Sequence, residues 1–499
     1  MQIIAHQSVF LLAATALTAF SGLAQTPPAR ASGRGAQAAQ APMKPLHPLD
    51  DSYLIWPIAP ADQAYTAIDG KHLKQYVEDQ AAMSRRYRDQ GHQFWGRIIG
   101  TPADEENAQW MLDKFRKAGL SDVHQQLFDL PPQWMPQSWS VSASSGEESL
   151  KLGTAQPTHR SPGTGPGGMD LEAVDVGFAS PGDLAHRDLK GKAAFFYSTD
   201  YYSRHATANN GAWKRLESAG AAAIFVTILV PGNLKMQFYP VNTGVPTFAL
   251  GYEDGLAVRE MIGKARGGPA PHVKLTMDVR MVPDEKTSTV WGTLPGASDE
   301  TVIITAHRDG WFEGANDNGT GVATMVGLAE YFAKIPQAQR KRTIIFLGTS
   351  GHHDGTAESG TWLSQHKELF AKTALLINCE HTAATELVIG NQTISKTNFA
   401  STLTWYVGGS HKLEDITVKA LAAFGVPTFE IPARTPAGEI GRIYQFSPAI
   451  QLIDTGFYWH SDHETPDIIP APALANVTRA YAKIITEIGA VELKDLQRP

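Results

Sequence analysis

At 499 residues the chain is long enough for roughly three domains of ordinary size, or for one large core carrying an insert. Hydrophobic residues make up 42% and charged residues 19%, which supports a sizeable core and excludes global disorder. A net charge of −7 with no dense Lys/Arg block argues against a nucleic-acid partner. The single cysteine, Cys379, excludes an intramolecular disulfide framework.

Residues 8–24, SVFLLAATALTAFSGLA, are an apolar run ending in small residues. Such a run reads as a secretory signal (1–24) cleaved near Ala24, giving an exported protein, periplasmic or secreted, without a stable membrane anchor. Residues 25–45, rich in Ala, Pro, Gly and Gln, read as a flexible linker. The N-terminal part of the main domain spans 46–165. Within it, residues 70–120 have a helical pattern, and 103–119 place acids early, bases late and glycine last, which are helix start and stop signals. Residues 123–130 read as a strand. A second unit, 166–284, alternates short β segments (172–177, 193–197, 222–226, 247–250) with glycine-rich turns, and a helix over 215–223 runs into the third. From 285 to 499 a βαβ rhythm holds: 301–306, 342–349 and 373–380 are apolar, β-branched runs with helices such as 322–333 between them. The predicted fold is α/β, a mostly parallel or mixed sheet covered on both faces by helices, with a smaller β-rich insert.

Sites in such sheets form at the carboxyl ends of the strands, and here those ends carry potential metal ligands. His307 and Asp309 follow the first run, and Asp317 stands eight residues beyond Asp309 in GANDNGTG. His352 and His353 follow the second run, Glu380 and His381 the third, and His460 lies in WHSDHETPD. The spacing from His307 to Asp309 lets the carboxylate orient the imidazole, and the glycines around Asp317 permit the close approach of a bridging carboxylate. One His or Asp at a strand end is ordinarily a hydrogen-bonded loop residue; five consecutive ends so furnished point to a metal. Histidine and carboxylate donors without thiolates suit Zn²⁺ in an open, catalytic geometry, and Cys379 reads as a small core hydrophobe.

HRDGWFEGANDNGTG, RTIIFLGTSGHHDG and FYWHSDHETPD resemble the signature blocks of the co-catalytic zinc aminopeptidase family, which includes glutamate carboxypeptidase and the transferrin receptor. RIIGTPADEENAQWMLDKFRKAGL is similar to the family's N-terminal helix block, and the 166–284 unit resembles its protease-associated insert. The resemblance implies that Asp317 bridges two ions, His307 and Glu380 complete one site, His460 serves the other, and Asp309 orients a ligand. It implies hydrolysis of a peptide or related amide by metal-activated water. Where the family usually carries Glu-Glu, as general base and ligand, this chain has His352 and His353. One carboxylate fewer makes the site more positive, which acidifies a bound water further but makes a second cation harder to hold, so one or two Zn²⁺ are expected. His353 can still ligate, and His352 can still accept the water's proton.

Three functions follow: an exported metallohydrolase of aminopeptidase or carboxypeptidase type; a degenerate receptor or binding protein; or an acyl-transfer or cyclising enzyme, or a non-peptide amidohydrolase, on the same fold. Arg434, Arg442 and Tyr444, in the Gly/Pro-containing stretch before the last ligand, are the candidate substrate contacts. Trp311 and Trp459, which flank ligands, are candidates to line an apolar pocket. The insert is expected to shape access or a homodimer contact. Asn391 and Asn476 begin glycosylation sequons, meaningful only in a eukaryotic secretory route.

Overall fold

The helical pattern over residues 70–120 resolves into α1 (Gly70–Asp89) and α2 (Pro102–Ala118). Pro102 pre-sets the first turn of α2, Asp104 and Glu105 complement its N-terminal dipole, Arg116 and Lys117 its C-terminus. Gly119 then stops the helix at φ +83°, a left-handed conformation that costs glycine nothing. The computed structural model describes residues 50–198, 206–353, 365–390, 393–454 and 456–498, with 206–210 and 442 described by backbone alone. The expected signal and linker, Asp354, and the sequon residues Asn391 and Gln392 lie outside the described residues.

Among the described residues, seven strands form the sheet that carries the site: β1 (Ser121–Asp129), β2 (Lys286–Leu294), β3 (Thr301–His307), β4 (Thr343–Thr349), β5 (Thr373–Cys379), β6 (Thr404–Gly408) and β7 (Ala449–Ile453). Their order is β6-β7-β5-β3-β4-β2-β1. The centre, β7-β5-β3-β4, is parallel, and β6, β2 and β1 add antiparallel edges, so the sheet is mixed. Alternate side chains face opposite ways. Val302, Ile304, Ala306, Ile344, Phe346, Leu375, Ile377 and Cys379 join the core formed with α1, α2, α3 (Gly321–Ala333), α4 (His411–Ala423) and α5 (Ala471–Ile488). Ile303, Ile345, Leu347 and Leu376 pack on the other face against Tyr406, Ile440 and Ile443. Each such fully buried aliphatic side chain stabilises the fold by roughly 1.5–3 kcal/mol. Among the described residues, helices cover one face, and the Gly/Pro-containing stretch 433–446 packs on the other together with Leu369 and Phe370.

The second sheet has eight strands among the described residues, in the order Glu148–Lys151, Gln133–Ser145, His272–Val282, Met169–Asp175, Ala193–Ser198, Ala223–Ile228, Thr247–Leu250 and Gln156–Pro157. The four β segments expected between 172 and 250 are all present. The boundary expected at 166 falls inside this sheet, because Gln133–Ser145 pairs along its length with His272–Val282. Both sheets belong to one compact unit, Leu49–Pro499. No helix among the described residues is long and apolar enough to cross a membrane. Asn476 is buried on α5 and donates to Leu54 O at 3.2 Å, so this sequon is not open to a glycan.

Candidate metal centre

β3, β4 and β5 run parallel, so their carboxyl ends deliver His307, the turn of His352 and His353, and Glu380 with His381 to one edge of the sheet. His460 arrives from the loop beyond β7, and Asp317 from the loop between β3 and α3. That second loop is clamped from below by Arg97, fully buried, which donates to Arg308 O (2.9 Å), Glu313 O (2.7 Å) and Gly314 O (3.1 Å). Gly314 allows the fold-back: its φ is +52°, and a Cβ there would overlap the carbonyl of Asp317.

Asp317 stands at the middle of the cluster. Its Oδ1 lies 3.2 Å from His307 Nε2 and 3.0 Å from His381 Nε2. Its Oδ2 lies 3.1 Å from His353 Nε2 and 2.8 Å from His460 Nε2, and accepts from Trp459 Nε1 at 2.6 Å. One carboxylate thus divides between two imidazole pairs, as a bridging ligand does. Glu380 is split in the same way: Oε2 accepts from Asn378 Nδ2 at 2.6 Å, while Oε1 turns inward, 3.9 Å from His307 Nε2 and 3.6 Å from His352 Nε2. The structure therefore brings His307, Asp317, His353, Glu380 and His460 together, as expected.

Asp309 has a different partner from the one expected. Its carboxylate accepts from the backbone amides of His352 (3.3 Å) and His353 (3.1 Å) and lies 3.1 Å from His353 Nδ1. His307 Nδ1 instead faces the backbone carbonyl of Asp309 at 3.1 Å, with the carboxylate at 3.6 Å. Asp309 orients the ring that replaces a glutamate. His352 stacks on His307, ring centroids 4.2 Å apart, and among the carboxylates of the described residues its ring reaches Glu380, at 3.6 Å.

The electrostatics follow from burial opposed by pairing. Burial disfavours a charged His353, but the Asp317 charge and hydrogen bonds to Asp309 and Asp317 outweigh it and hold the ring up at about 9. His381 reaches about 9 in the same way, through Asp317. Burial wins at His460, which is pushed down to about 3 despite its bond to Asp317. Burial and the charge of His307 push His352 down to about 4, the ordinary range of a glutamic acid. Asp317 is held well below the usual carboxylate range, because His381 and His353 outweigh its burial.

The donor set fits a divalent metal. His307 Nε2, Asp317 Oδ1 and His381 Nε2 are buried and make no hydrogen bond, although both nitrogens lie within 3.2 Å of the carboxylate oxygen. Buried polar atoms are otherwise paired, and converging orphans of this kind suit a cation. Imidazole and carboxylate donors suit Zn²⁺. Cys379 is outside the set, at 0% exposure in the core, with burial pushing its thiol up.

Two contributors, Glu464 and Glu439, escaped the sequence reading, and a third, His381, was noted there without a role. His381 stands at a strand end, beside an assigned ligand, where that position was itself the signal. Glu464 accepts from Asn316 N (3.0 Å), Asp317 N (2.5 Å) and His460 N (2.9 Å), tying two ligand loops together. Glu439 accepts from Thr349 and Thr305 beneath the site, and Gly438 lies so close to Glu380 that a Cβ would overlap its carboxylate. The stretch that holds Arg434, Arg442 and Tyr444 thus reaches the centre by different residues. Arg434 is exposed, the Arg442 side chain is not among those described, and Tyr444 packs on Tyr406 and Arg498.

The loop between Ala223–Ile228 and Thr247–Leu250 of the second sheet forms a wall of the centre. Lys235 N donates to Asp462 Oδ1 at 3.0 Å, Gln237 N to His460 O at 2.9 Å, and the Tyr239 ring lies 5.2 Å from that of His460. Trp311 lines a narrow cleft with Phe94, Trp134, His159, His353, Arg97 and Asp309. Trp459 spends its indole on Asp317 instead.

Residues 289–485 match the family model described as Peptidase family M28. Aminopeptidase YwaD of Bacillus subtilis (strain 168) is 26% identical over 280 residues, 52% of this chain and 55% of that protein, so the match spans about half of the relative's length. The solved peptidase M28 precursor of Shewanella amazonensis SB2B shares the fold with a TM-score of 0.68 at 19% identity, over 88% of this chain and 98% of that one. BSAP, a zinc aminopeptidase from Bacillus subtilis, does so with a TM-score of 0.60 at 18% identity, over 87% and 98%. Residues 289–485, which carry every histidine and carboxylate of the centre, are a peptidase family M28 domain.

Proposed function

We propose that the protein is an exported, zinc-dependent hydrolase of peptide or related amide bonds, of aminopeptidase type. The observation that carries this reading is Asp317, set between two imidazole pairs with its Oδ1, His307 Nε2 and His381 Nε2 buried and making no hydrogen bond. His307, Asp317 and Glu380 would hold one ion, and Asp317, His353 and His460 the other. When bound, the metal supplies a Lewis acid for the scissile carbonyl and lowers the pKa of attacking water.

The chain's own residues do the rest. His352, half-buried beside Glu380, takes the place of the usual glutamate as proton acceptor, and Asp309 fixes its backbone as well as His353. Glu464 holds the two ligand loops in register. The cleft beside His353 and Trp311 is narrow, with aromatic walls from Phe94 and Trp134 and polar groups from Arg97 and Asp309. Export rests on residues 8–24 alone.

The test pairs metal analysis with a substrate panel of aminoacyl amides, short peptides and N-acyl amino acids. Zinc in the purified protein, release of N-terminal residues, and loss of both in Asp317→Asn are expected. A metal-free, inactive protein would leave the binding-protein reading, and turnover of N-acyl amino acids alone would leave the amidohydrolase.

A further inference from the structure

The family resemblance assigns three ligands to the ion on the Oδ1 side of Asp317, and the geometry adds another. His381 Nε2 lies 3.0 Å from Asp317 Oδ1 and 4.0 Å from Glu380 Oε1; His307 Nε2 lies 3.2 Å and 3.9 Å from the same two atoms. Four donors around a tetrahedral Zn²⁺ at about 2.0–2.1 Å stand roughly 3.3 Å from one another. The four distances from the two imidazole nitrogens to the two carboxylate oxygens bracket that spacing.

The ring is also aimed. His381 Nδ1 donates to the carbonyl of Asp454 at 2.6 Å, which leaves Nε2 as the nitrogen facing the cluster, the arrangement that outer partners impose on metal-binding imidazoles. Nε2 is buried and makes no hydrogen bond. The backbone of His381 is held at φ +49°, a conformation unfavourable for a residue with a side chain, and His381 N donates to Asn318 Oδ1 at 3.1 Å. A strained backbone and two anchors are spent on pointing one nitrogen at Asp317.

We propose that His381 is a direct ligand, so that the Oδ1 position is closed by His307, Asp317, Glu380 and His381, and that the Oδ2 position, with Asp317, His353 and His460, is the open, catalytic one. The inference rests on the proposed metal centre and divides its labour. Closed four-ligand sites are structural, and three-ligand sites keep a place for substrate. The additional imidazole also explains how a centre that has lost a carboxylate can still hold an ion firmly on one side.

The experiment is a competition titration of chelator-treated protein with Zn²⁺ and Co²⁺, comparing the unaltered chain with His381→Asn. Asparagine tolerates the positive φ and is too short to reach the cluster. The unaltered chain is expected to bind two ions with unequal affinity, and His381→Asn to weaken the tighter by at least about 100-fold, beyond what loss of an outer partner causes. Equal binding by both chains would overturn the role of His381 while leaving the metal centre intact. An unaltered chain that binds neither ion would overturn the centre itself. A second measurement needs no variant: in the Co²⁺-loaded chain labelled with ¹⁵N-histidine, four paramagnetically shifted imidazoles are expected, and a set without His381 refutes the assignment.

Discussion

Glu439 offers a sharp test of the electrostatics beneath the centre. Its carboxyl is buried on the stretch that caps the open face of the sheet, with hydrogen bonds from Thr349 and Thr305. Burial above all pushes its pKa up from 4.5 to about 8; the charge of His307 opposes the shift and that of Glu380 adds to it. The unfolded chain loses this proton near 4.5, whereas the folded chain keeps it until about 8. Between those values the folded state binds one proton more, so stability is full at acid pH and falls as pH rises, until both states are ionised. At about 1.36 kcal/mol per unit, raising the pH from about 5 to about 8 costs about 4 kcal/mol. Glu439→Gln keeps the shape and an acceptor but has no proton to lose. In urea unfolding of chelator-treated protein, the stability of Glu439→Gln relative to the unaltered chain is expected to grow by about that amount across this window. Other titrating groups cancel in the difference. A difference that stays flat from acid to pH 8 would refute the reasoning.

The remaining predictions concern the loops that carry the ligands. Arg97→Met leaves the carbonyls of Arg308, Glu313 and Gly314 without their buried donor, and is expected to cost at least about 3 kcal/mol in urea unfolding and to weaken metal retention through Asp317. Gly438→Ala puts a Cβ into the Glu380 carboxylate at φ +64°; equilibrium dialysis is expected to show metal affinity reduced about tenfold or more. His352→Gln is expected to lower kcat about 100-fold with little change in KM, the usual scale for a lost general base. His352→Glu is expected to fall short of the unaltered rate, since its carboxylate would stand against Glu380, 3.6 Å from the present imidazole nitrogen. A faster His352→Glu enzyme would show that the histidine is merely tolerated.

Much of this protein is written in local pattern. The apolar β-branched runs at 301–306, 342–349 and 373–380 could only be buried strands, because nothing else covers both faces of such a segment. Strand ends then had to carry the chemistry, and the five ligands that the family resemblance implied meet within one cluster. The helix ending at Gly119 was legible for the same local reason, charge at its ends and a glycine to stop it.

Partner choice was decided by the tertiary structure, because it depends on directions that spacing does not encode. Asp309 sits two residues from His307 yet gives its carboxylate to His353, since the turn after β4 folds over it. Whether His381 points outward or at Asp317 depends on a positive φ and on Asp454, far along the chain. Gln133–Ser145 joined the second sheet because its pairing strand lies more than a hundred residues away. The substrate stretch likewise presents Gly438 and Glu439, not its arginines, to the centre, because Ile440 and Ile443 must bury against the sheet and set its rotation. Sequence alone determined which residue types gather at the strand ends; long-range packing decided which atoms face one another, and therefore which ion position is closed and which is open.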